Sequence, residues 1–74
     1  MMQAEIYVLG KSRVPPWAGN VMTQVEYDSL GNITRARVQT SSGMKVLREG
    51  SVLIRVNGNV AVLSKQDARK YGIL

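Results

Sequence analysis

The sequence contains no cysteine, no histidine and no phenylalanine. A disulfide framework and the Cys/His type of zinc site are therefore excluded. So are Ser-His-Asp and Cys-His nucleophile relays. No side chain is left whose ordinary pKa lies near neutrality. No apolar run approaches the roughly 20 residues of a membrane span. The opening Met1-Met2-Gln3-Ala4-Glu5 lacks the basic stretch and apolar core of a signal peptide. Proline occurs twice, as the adjacent pair Pro15-Pro16.

What remains is short, basic and rich in β-branched residues. The 74 residues predict one small β domain spanning 1–74. A chain of this size buries only about 60% of its unfolded surface and is marginally stable alone. With no disulfide or metal to brace it, homo-oligomerisation is the expected support. Ten Lys and Arg against five acids leave a net charge of +5. That balance suits an anionic partner such as nucleic acid, although a few units of charge also serve solubility.

Strand and turn signals alternate along the chain. Ala4–Leu9 reads as a short strand, and Lys11–Asn20, with both prolines, as a loop. Val21–Tyr27 alternates with period two. Asp28-Ser29-Leu30-Gly31 is a turn of type I chemistry, with Ile33–Thr40 as the returning strand. Ser41-Ser42-Gly43 turns into Met44–Leu47, and Glu49-Gly50 turns again. Asn57-Gly58 between two β-branched runs predicts a two-residue type I′ hairpin. That register sets Leu53 opposite Val62, Ile54 opposite Ala61, Arg55 opposite Val60 and Val56 opposite Asn59. Both hairpin faces are then apolar, so cover is expected on both sides. Ser64 is a helix N-cap with Asp67 three residues on, and Gly72 is the residue that ends the helical turn. The expectation is mainly β: a small bent antiparallel sheet or SH3-like barrel of about five to six strands in meander order, with a short C-terminal helical turn.

The segment from Thr40 to Leu74 resembles a family of short phage-encoded proteins named for a Pro-Gly-Asp-Tyr-Gly motif. The matching elements are Glu49-Gly50-Ser51-Val52-Leu53-Ile54, the Asn57-Gly58 hairpin, Val60–Leu63, and Ser64 to Tyr71. Ser51 stands where the family has Asp, Glu49 where it has Pro, and Ala68 where it often has Phe. The resemblance covers about half the chain. It implies a phage or prophage origin, in the host cytoplasm or the virion, and carries no catalytic residue with it.

Three groups of residues are candidate sites. Trp17, on the loop stiffened by Pro15 and Pro16, is either a protein-binding anchor or a lid over the core, since Trp dominates interface hot spots. Arg35 and Arg37 lie on one strand face, and the Asp28–Gly31 turn would place Val25 and Tyr27 beside them. Basic groups next to an aromatic can hold phosphate and stack a base, or they can be a solvated face. Leu53, Val60 and Val62, on one face of the hairpin, are the expected oligomer interface.

Other groupings carry less. Glu26 and Asp28 read as surface acids beside a turn rather than a general acid/base pair. Gly10-Lys11-Ser12 lacks the first glycine and the helix of a phosphate loop. Lys65, Arg69 and Lys70, with Lys45 and Arg48, read as solubility and helix-dipole complementation. No cofactor, metal or catalytic residue is expected. The leading expectation is a non-enzymatic phage-type interaction module that binds a host or viral protein, in host takeover, counter-defence or virion assembly. The alternative is a small basic barrel that binds nucleic acid or a nucleotide.

Overall fold

Local turn chemistry builds most of the molecule. The computed structural model describes residues 4–10 and 13–74. Six strands and two short helices follow one another: β1 (Ala4–Val8), α1 (Pro16–Val21), β2 (Met22–Tyr27), β3 (Ile33–Thr40), β4 (Gly43–Arg48), β5 (Val52–Val56), β6 (Asn59–Leu63) and α2 (Lys65–Lys70). At the tip of β5–β6, Asn57 and Gly58 have φ of 51° and 81°, the positive values a type I′ turn requires. Every pair expected from that turn is found, from Val56 opposite Asn59 to Leu53 opposite Val62.

The β2–β3 turn is held by one side chain. The Asp28 carboxylate accepts from the backbone N–H of Leu30 and of Asn32, each at 2.9 Å. Gly31 follows with φ of 86° and donates to the Asp28 carbonyl. These hydrogen bonds to backbone donors, the Asn32 N–H foremost, hold the Asp28 carboxyl below its ordinary pKa. At the C-terminus, Ser64 Oγ accepts from Asp67 N–H at 3.1 Å. Ile73 N–H donates to Ala68 O and Gly72 N–H to Arg69 O, the paired bonds of a Schellman end.

The strands form two three-stranded antiparallel sheets, β1-β5-β6 and β2-β3-β4, and no closed barrel. The expected meander order is thus corrected at two steps, β1 to β2 and β4 to β5, neither of which pairs. β1 pairs with β5 rather than β2, with Tyr7 opposite Leu53 and Val8 opposite Val52. Leu9 and Gly50 extend this pairing, since Gly50 N–H donates to Leu9 O. The expected loop is also corrected. Lys11 and Ser12 lie outside the described residues, so of the Gly10-Lys11-Ser12 motif only Gly10 is described. Pro16–Val21 is a helix with Pro at its first position, where the missing N–H costs nothing. Ala18 and Gly19 donate to Pro15 O.

The core lies between the sheets. Tyr7, Leu9, Ala18, Met22, Ala36, Val38, Leu47, Leu53 and Val60 are buried there, with Val14, Trp17, Val21, Val25, Ile33 and Val62 packed against them. Leu53 and Val60 are therefore covered by the opposite sheet of the same chain. This corrects the interface expected on Leu53, Val60 and Val62: that face of the hairpin is the core itself. The opposite face of β1-β5-β6 is covered at one end only. Val52 and Ala68 are fully buried where α2 packs on β6. Farther along, Ile6 is 46% exposed beside half-buried Ile54 and exposed Ala61. No helix among the described residues is long and apolar enough to cross a membrane.

Candidate nucleic-acid interface

The outer face of β2-β3-β4 gathers three guanidinium groups. In β3, Ala36, Val38 and Thr40 point into the core, so Arg35, Arg37 and Gln39 point outward. The register continues this face onto both neighbours. Arg35 lies between Glu26 on β2 and Arg48 on β4, and Arg37 lies between Thr23 and Val46. These two rungs are about 7 Å apart along the strand. Two arginines directly opposite one another repel, and such pairs destabilise a sheet.

Glu26 relieves part of that repulsion, with Oε2 3.7 Å from Arg35 Nη1. Both side chains are exposed, so the pair contributes little stability. Among the described residues Arg37 and Arg48 have no acidic partner within ion-pair distance. Met44 and Val46 lie beside them on the same face.

The sequence places Arg35 and Arg37 together but groups Arg48 with Lys45 and the α2 cations; the register sets it opposite Arg35 instead. Arg48 was legible in principle, because a two-residue turn at Ser41-Ser42 pairs Thr40 with Gly43 and carries the count back to Arg35 opposite Arg48. Val25 does not sit as expected. Gln24 has φ of 49°, and the β2–β3 register shifts between Thr23 and Glu26 and again before Tyr27. This irregularity packs Val25 toward the core and brings Glu26, not Val25, to the guanidinium face. Tyr27 pairs with Ile33, next to the Glu26–Arg35 rung, and lines a groove of about 430 Å³ with Tyr7, Gly10, Arg13, Val14, Gly31 and Asn32.

Trp17 takes the lid position. It is half-buried against the core, and the Arg55 guanidinium lies over its ring at 5.0 Å from the centroid. Glu5 pairs with Arg55 in turn, accepting from Arg55 Nε at 3.1 Å. This chain of partners occupies one face of the indole. Pro15 is half-buried and Pro16 exposed. Glu26 and Asp28 are engaged separately, by Arg35 and by the turn. On α2, Arg69 and Lys70 lie in the last turn, where cations complement the helix dipole. Among the described residues no three acidic side chains gather as a metal site would need. Compared with family models, curated proteins and solved structures, the chain matches none.

Proposed function

We propose that this chain is a small non-enzymatic binding module, of phage or prophage type, whose β2-β3-β4 outer face binds the phosphate backbone of nucleic acid. The observation that carries this reading is the Arg35–Arg37–Arg48 face, with two arginines on one rung and a single acid among them. A phosphate seated over that rung replaces a repulsion with charge-assisted hydrogen bonds, which guanidinium groups make bidentately. The net charge of +5 favours the encounter at long range.

The test is fluorescence anisotropy with labelled oligonucleotides across a salt series. Arg37→Ala with Arg48→Ala should weaken binding and flatten the salt slope by about two units. Lys65→Ala with Lys70→Ala, on α2, should change it far less. Equal effects of the two double variants, or no binding by the parent, would reject the assignment.

A protein-binding reading has its own support. A depression of about 330 Å³ is lined by Ile54, Val56, Ala61, Asn59 and the Ser41-Ser42 turn. With Ile6 it makes an open apolar surface on the β1-β5-β6 sheet, the kind that marks interaction sites. Association through this surface would show no steep loss with salt, and it is where a homo-oligomer would form. The Trp17 anchor supports this reading less, because its ring is already engaged by Arg55.

A further inference from the structure

The groove at the β2–β3 turn has a composition unlike the rest of the surface. Its floor is apolar: Ile33 and Val14 pack against the core, and the Tyr7 ring is almost wholly buried. One wall is the Tyr27 ring, which stays 62% exposed. Its rim carries Arg13, an exposed cation, and the Asn32 amide.

The polar wall is tied to the Asp28 turn. Asn32 Nδ2 donates to Asp28 Oδ2 at 3.4 Å, while its backbone N–H donates to Asp28 Oδ1. The amide is thereby oriented, and its carbonyl oxygen has no hydrogen-bond donor among the described residues. Gly31 lies between these groups with φ of 86°, and no atom of the described residues stands within 4 Å of where its Cβ would be. Among the described residues nothing blocks approach from that side. The volume of about 430 Å³ lies within the roughly 300–1,000 Å³ typical of small-ligand sites.

An exposed ring for stacking, an oriented carbonyl acceptor and a cation at the rim are the three contacts that an unpaired nucleobase with its phosphate uses. We propose that this groove receives one unstacked base of a single-stranded nucleic acid. The proposal rests on the nucleic-acid reading above and narrows it from polyanions in general to single strands. The register connects the two sites. Tyr27 and Ile33 pair next to the Glu26–Arg35 rung, so a strand whose backbone crosses the guanidinium face can reach the groove with a neighbouring base. A duplex, with its bases stacked and paired, meets only the arginines.

The experiment compares a short oligothymidylate with a duplex of the same length on parent, Tyr27→Ala, Tyr27→Phe and Arg37→Ala/Arg48→Ala proteins. Thermal melts are run beside the binding assay. Tyr27→Ala should lose about 5- to 150-fold in single-strand affinity, the range for one base–aromatic stack. It should leave duplex affinity unchanged, and Tyr27→Phe should bind like the parent. Thymidine monophosphate should shift the amide resonances of Gly31 and Asn32 in the parent and not in Tyr27→Ala. If Tyr27→Ala leaves single-strand affinity intact while the double arginine variant loses it, the groove assignment falls and the phosphate-binding face stands. If the parent binds duplex only, the same conclusion follows. Binding to neither nucleic acid overturns both.

Discussion

The two sheets share one core but present opposite outer faces. On β2-β3-β4 the outward positions carry Arg35, Arg37, Arg48, Glu26, Thr23 and Gln39, with Met44 and Val46 the apolar exceptions. On β1-β5-β6 they carry Ile6, Ile54, Ala61, Val8, Val52 and Leu63. Among the described residues only the second sheet receives a helix on its outer face. α2 covers the Val52–Leu63 end and stops short of Ile6, Ile54 and Ala61. The difference follows from what each face can gain. Apolar positions are stabilised by burial, so they recruit α2. A guanidinium face gains nothing from a covering helix and keeps its charges hydrated. The molecule therefore offers one electrostatic surface and one partly covered apolar surface, and these two surfaces carry the two functional readings.

The largest expected effect separates the inner and outer layers of the hairpin at neighbouring residues. Leu53 is fully buried between the sheets, and Ile54 points to the open face. Leu53→Ala should cost roughly 2–5 kcal/mol through lost burial and the cavity left behind, enough to unfold much of so small a domain. Ile54→Ala should cost under about 1 kcal/mol, because half-exposed side chains lose less on truncation. Urea denaturation of both variants checks the contrast. Similar losses would mean that the Ile54 face is also covered in solution, as a second copy of the chain would do.

A smaller effect sharpens the comparison from the charged side. Arg48→Glu turns a like-charge rung into an opposite-charge pair with Arg35. It should stabilise the fold by about 0.2–1 kcal/mol while weakening oligonucleotide binding. Stability and binding moving in opposite directions is the signature of a face maintained for a ligand rather than for the fold. A stability loss would show that Arg48 already has a favourable partner.

The smallest effect appears at alkaline pH. Burial raises the Tyr7 hydroxyl above the ordinary tyrosine pKa, although the Gly10 N–H it accepts from partly opposes the shift. A group whose folded pKa is raised contributes stability that is complete below its unfolded pKa, near 10, and is lost as pH rises through the folded value. The parent should therefore lose stability above about pH 10. Tyr7→Phe should lose less over the same range, measured by melting temperature between neutral and strongly alkaline buffers.

Much of the local structure was legible because short-range chemistry alone decides it. Asn57-Gly58 set a hairpin and its whole register, since few other residue pairs tolerate two successive positive φ values. The Asp28 turn, the Ser64 cap and the Gly72 helix end are likewise contacts within a few residues of their origin. The helix α1 had a signal that the adjacent prolines masked. Val14, Trp17, Ala18 and Val21 recur at helical spacing, and all four pack on the core.

Composition and turn chemistry by themselves determined that this would be a small, cysteine-free, basic β protein with a tight β5–β6 hairpin and a capped C-terminal turn. Only the tertiary structure decided that β1 pairs with β5, a contact between segments more than 40 residues apart along the chain. It also decided that the Leu53–Val60 face is core rather than interface, and that Glu26 rather than Val25 meets Arg35. The last outcome turns on Gln24, whose φ of 49° is forced by no local preference of glutamine. Strand alternation across Val21–Tyr27 reads as regular because a bulge leaves the residue pattern intact and alters only which partner each residue meets. A hairpin turn acts over four residues and is written in them. The pairing of distant strands and the site of a bulge are settled by which arrangement buries Tyr7 and Leu53 with Val25 packed against that core, a sum over the whole chain.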